Sequence, residues 1–97
     1  MGTAKTYRMK GRVVVRRIGE DRLLVPVSGG VARENCVFPV NETGEYIWNC
    51  LAQGQTLDET AAAVAAAFAV TPETARADCR EFADRLLAQR LIEEAMP

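Results

Sequence analysis

The chain has no histidine among its 97 residues. That absence removes the commonest general base, the Ser-His and Cys-His nucleophile pairs and the commonest zinc ligand together. Cysteine is scarce and odd in number. Cys36, Cys50 and Cys79 stand far apart, which fits neither a disulfide framework nor a paired CxxC zinc site, and they read as small buried or half-buried thiols. The only paired glycines, Gly29-Gly30, lack the spacing and the following helix of a phosphate loop. The adjacent carboxylates Asp58-Glu59 and Glu93-Glu94 fall near a helix start and the C-terminus, where solvated acids are common. No catalytic residue, metal or cofactor is therefore expected, and the chain reads as something other than an enzyme.

Long apolar runs are missing too. No window approaches the ~18 apolar residues of a membrane span, and the first stretch has no signal-peptide core, so a cytoplasmic protein without a membrane partner is expected. Neither sign of charge dominates: twelve basic and thirteen acidic residues leave a net charge of -1, with no general pull toward nucleic acid. One local excess exists, at Lys5, Arg8, Lys10, Arg12, Arg16 and Arg17, and a solvated tail and strand face account for it.

What is present is an ordinary globular composition, 48% hydrophobic and 26% charged, in a chain long enough for one core. Residues 13–92 are expected to form one domain between a basic tail at 1–12 and a short C-terminal tail at 93–97. Two branched-residue runs, 13–18 and 22–27, flank the turn-forming Gly19-Glu20-Asp21 and predict a hairpin. The polar, Gly-containing stretch 28–35 predicts a loop, and Cys36-Val37-Phe38-Pro39-Val40 a third short strand. Pro39 has no N–H to give to a ladder, so this strand belongs at a sheet edge.

Helical spacing begins after Val40. Asn41 is suited to cap a first helix, with Ile47, Trp48 and Leu51 on one face and Gly54 at its end. Thr56 and Glu59 have capping-box spacing ahead of Leu57, Ala61, Val64 and Phe68. Thr71-Pro72-Glu73 opens a third helix, whose buried stripe is expected at Ala75, Cys79, Phe82 and Leu86, running on to Leu91 and Ile92. The sum is an α+β fold, a three-stranded antiparallel sheet followed by three helices, winged helix-turn-helix-like in order.

The segment Asn41-Glu42-Thr43-Gly44-Glu45-Tyr46-Ile47-Trp48 resembles the NETG-x-x-IW signature that begins the first helix of PqqD-like proteins. Leu51, Gly54 to Glu59, Phe68 to Thr71, Asp78, Phe82, Leu86 and Leu91-Ile92 are similar to the family's pattern in order and spacing. The resemblance runs from about Val13 to Ile92. It departs at Arg90-Leu91-Ile92, where the family often has Gly-Leu-Ile, so the third helix is expected to run on or to lose a left-handed cap.

This resemblance implies a non-catalytic domain that binds the leader of a ribosomally made precursor peptide and presents it to a modifying enzyme. For the namesake that enzyme is a radical SAM protein in PQQ (pyrroloquinoline quinone) biosynthesis. It also implies β-strand addition on strand three against helix three, which would put the peptide at Cys36, Val37, Phe38 and Val40. On helix three, Arg76, Arg80, Ala83 and Leu87 form the flank expected to face it, whereas Asn41, Gly44 and Trp48 read as structural. The competing function is a winged-helix DNA-binding regulator, disfavoured because helix three mixes Arg76, Arg80, Arg85 and Arg90 with Glu73, Asp78, Glu81 and Asp84. An open strand edge also permits a homodimer formed by strand exchange.

Overall fold

In a computed structural model, the structure describes residues 6–28, 31–32 and 37–95. Nine elements follow in order. They are β1 (Thr6–Met9), β2 (Arg12–Ile18), β3 (Asp21–Ser28), β4 (Val31–Ala32), β5 (Phe38–Val40), α1 (Glu42–Ala52), α2 (Leu57–Phe68), α3 (Pro72–Ala88) and β6 (Ile92–Ala95). The strands make two antiparallel sheets, one of β1 and β6, the other centred on β3 with β2 on one side and β4 and β5 on the other. The fold is α+β, as the order of hydrophobic periods predicted.

The hairpin is tighter than the expected three-residue turn. Ile18 pairs directly with Asp21, leaving a two-residue loop in which Gly19 takes φ +62°, a conformation that suits a hairpin turn and that glycine adopts without penalty. The helices start as their sequences dictate. Asn41 Oδ1 accepts from the Gly44 N–H at 2.7 Å, Thr56 and Glu59 form both halves of a capping box, and Thr71 caps α3 ahead of Pro72.

All three helices end in the same left-handed hook. Gly54 (φ +85°), Ala69 (φ +53°) and Arg90 (φ +59°) stand one or two residues past the last helical residue, and the next N–H returns to a carbonyl five residues back: Gln55 to Cys50, Val70 to Ala65 and Leu91 to Leu86. The expectation for Arg90 is thus corrected. The helix stops at Ala88 and keeps its left-handed cap with arginine in the place of glycine, because Leu91 and Ile92, 4% and 1% exposed, are pulled into the core.

That pull also brings a strand near each end of the described residues into the fold. Thr6–Met9 and Ile92–Ala95 pair from Thr6↔Ala95 to Met9↔Ile92, although 1–12 and 93–97 were expected to be tails. Tyr7 is buried on α1's side of this ladder, whose short alternating strands are too brief to stand out from a polar terminus. The core itself matches the predicted stripes: Ile47, Trp48, Leu51, Leu57, Ala61, Val64, Ala75, Cys79, Phe82 and Leu86 are buried together. Phe68 is half-buried and meets Tyr46 edge-on, ring centroids 5.4 Å apart.

Candidate functional site

Strand β5 is three residues long and pairs only with β3 among the described residues, in the register Arg22↔Val40, Leu23↔Pro39 and Leu24↔Phe38. Antiparallel ladders alternate between pairs that exchange two hydrogen bonds and pairs that exchange none. Exchange across Leu23 and Pro39 would need a Pro39 N–H, so the exchanging pairs are Phe38–Leu24 and Val40–Arg22. By the same alternation the Pro39 carbonyl and the backbone groups of Val37 are directed to the open edge. Within residues 37–40 that edge therefore offers one N–H, from Val37, and two carbonyls.

Side chains alternate with the same period. Phe38 is buried and Val40 half-buried on the helix side, while Val37 and Pro39 are exposed on the other face. Phe38 packs edge-to-face on Phe82 of α3, with centroids 5.8 Å apart and planes at 84°, and the Arg85 guanidinium lies over the Phe38 ring at 5.1 Å. Beside this contact an open cleft of about 370 Å³ runs between β5, the start of α1 and α3. Pro39, Val40, Asn41, Thr43 and Gly44 line one side and Asp78, Glu81, Phe82 and Arg85 the other, with Ile47 at the floor.

Gly44 stands where α1 comes close to β5 and α3. A Cβ there would lie 3.2 Å from Phe82 Cε1, 3.2 Å from Val40 Cβ and 3.3 Å from Asn41 Oδ1, so a side chain would press α1 away from both β5 and α3. Asn41 and Gly44, expected to be structural, do cap and pack, and they also wall the cleft. Trp48 is 4% exposed and belongs to the core.

Next to Gly44, the Glu45 carboxylate ties the sheet to α1. Its oxygens both lie 3.0 Å from Arg17 Nη2 on β2, and Oε1 lies 2.7 Å from Arg22 Nε on β3, the latter an ion-pair contact off the line of a hydrogen bond. Glu45 and Arg22 are mostly shielded while Arg17 is exposed. The two arginines belong to face-sharing positions of β2 and β3, Arg17 opposite Arg22, and without the acid they would repel each other.

Of the expected peptide-facing residues, Val37, Phe38 and Val40 stand at the edge and cleft as described, and Cys36 lies outside the described residues. The four on helix three lie elsewhere. Arg76 faces α2, 3.9 Å from Asp58 Oδ1; Arg80 is on the outer surface with Glu73 and Asp84; Ala83 is 1% exposed in the core; and Leu87 packs half-buried against it. The flank beside β5 is the opposite one, carrying Asp78, Glu81 and Arg85 at i, i+3 and i+7 around Phe82. The signal that would have chosen between the flanks is the pairing of Phe38 with Phe82, which periodicity along one helix does not contain.

The two described thiols have no activating surroundings. Cys50 and Cys79 are free and buried; burial raises both, and with Asp78 and Cys50 nearby the Cys79 thiol is pushed up to about 11. Among the described residues no group of three His, Cys, Asp or Glu is placed to hold a metal, and no helix is long and apolar enough to cross a membrane.

A small α+β domain with a strand edge open among the described residues, beside a helix-walled cleft, is the class that fold and geometry define. The family model described as Coenzyme PQQ synthesis protein D (PqqD) matches residues 24–92, and the chain belongs to that family. In fold it is similar to a solved structure described as TbiB1 in complex with the TbiA(beta) leader peptide. The TM-score is 0.70 at 24% identity, over 93% of this chain and 99% of that one. Comparison with the curated proteins gives no match.

Proposed function

We propose that this protein captures the leader segment of a ribosomally made precursor peptide as an added strand on the outer edge of β5, and holds it for a separate modifying enzyme. The observation that carries the proposal is the edge of β5, unpaired among the described residues and lying along the cleft against α3. An extended segment placed there meets the Val37 N–H and the carbonyls of Val37 and Pro39, and sends every second side chain toward α3. Pro39 supplies an acceptor and no donor, so the affinity has to come from few backbone bonds and from the cleft. Family membership supports a peptide-binding role, as does the leader peptide bound by the structurally similar TbiB1.

The residues assigned to the peptide are Val37, Phe38 and Val40 on the strand. On the helix, Asp78, Glu81, Phe82 and Arg85 replace the flank of Arg76, Arg80, Ala83 and Leu87. The role is binding and presentation, with no chemistry of its own, and the receiving enzyme is of the radical SAM type, with PQQ synthesis as the pathway that the family's description suggests. The test is an amide NMR titration of the labelled protein with synthetic segments from short open reading frames beside its gene. Shifts concentrated on Val37–Val40 and on the Asp78–Arg85 flank are expected. Silence toward every segment, together with shifts on adding duplex DNA, would replace this reading with that of a DNA-binding regulator.

A further inference from the structure

The cleft wall on α3 is not neutral. Asp78 and Glu81 are exposed carboxylates one turn apart, and neither makes an ion pair among the described residues. Arg85 stands one turn beyond Glu81, at the i, i+4 spacing where an ion pair would form readily. Its guanidinium is instead laid over the Phe38 ring, 5.1 Å from the centroid, at the strand side of the cleft. Arg76, two residues before Asp78, is turned away to Asp58 on α2. Along the cleft the wall thus reads negative, negative, positive around the Phe82 ring and above Ile47.

Spacing converts that order into a peptide pattern. Glu81 and Arg85 are separated by about 6 Å of helix rise, and side chains on one face of an added strand recur every ~6.5–7 Å. For a segment laid along α3, two successive wall-facing side chains match the two signs. Resting on the strand-addition reading above, we infer that the cleft selects an extended segment with a lysine or arginine facing Asp78 and Glu81 and an acidic residue two positions away facing Arg85. Charge complementarity of this kind sets register and excludes wrong partners more than it adds affinity.

The test uses the full chain against a displayed library of randomised peptides, with each enriched peptide checked by amide titration for shifts at Val37–Val40. Enrichment of Lys or Arg at one position, with Asp or Glu two residues away, is the expected result. In the doubly reversed variant Asp78→Lys/Glu81→Lys the basic position should turn acidic, and the original peptides should weaken by about 10-fold, the size of a like-charge clash at a partly shielded contact. The milder Asp78→Asn/Glu81→Gln protein should bind with that preference lost, which guards against misfolding of the reversed variant. Peptides that shift Val37–Val40 without any charge preference, and bind all three proteins alike, would overturn this inference and leave strand addition standing. A library that yields no edge-binding peptide would overturn both.

Discussion

The two outer edges of the larger sheet are built to opposite ends. β2 presents seven residues, ample for another strand to pair with, and interrupts them with Arg12, Arg16 and Arg17, the charged edge that discourages pairing. β5 presents three residues, of which one is a proline, yet it is free of charged side chains and lies along a cleft with an aromatic wall. Length does not make an edge receptive. Among neighbouring residues, the difference lies in charge and in whether a helix stands close enough to receive alternate side chains of an incoming strand.

The largest effect on this contrast is expected from Glu45→Ala. The Glu45 carboxylate ion-pairs with both β2 and β3, and its loss leaves the shielded Arg22 opposite Arg17 without that counter-ion, a destabilisation of about 2–3 kcal/mol read by urea unfolding. Val37→Pro comes next. It removes the one N–H that the β5 edge offers and should weaken leader binding by about tenfold while the melting temperature changes little.

Ala69→Gly and Arg90→Gly should each stabilise the fold by about 1 kcal/mol, since both positions hold left-handed backbone that costs a side chain and suits glycine. Raising pH gives a graded loss. The Cys79 thiol, at about 11 when folded against an ordinary 9.0, keeps its contribution below pH 9 and forfeits it progressively as pH climbs toward 11, visible in melts across that range. The smallest effect is expected on the other edge: Arg12→Thr with Arg16→Thr should leave peptide affinity unchanged and instead raise self-association, measured by sedimentation.

Periodicity made much of this legible from sequence. The buried stripes of α1 and α3, the caps at Asn41, Thr56 and Thr71, and the edge placement of Pro39 all follow from local rules, each stated by a handful of residues. What escaped depends on contacts between distant segments. The β1–β6 ladder joins residues almost ninety apart, and Glu45 meets arginines that nothing near it in the chain announces. The cleft flank of α3 escaped for the same cause. Arg76 and Arg80 looked like a binding face beside an apolar continuation, and only the seating of Phe38 on Phe82 shows that the strand approaches from the Asp78–Arg85 side.

Hydrogen–deuterium exchange at single-amide resolution, with and without a bound leader segment, tests the receptive edge most directly. The account predicts that the Val37 amide exchanges freely in the unbound protein and becomes protected by the peptide, with β2 unchanged. Protection appearing along Arg12–Ile18 while Val37 continues to exchange would contradict it.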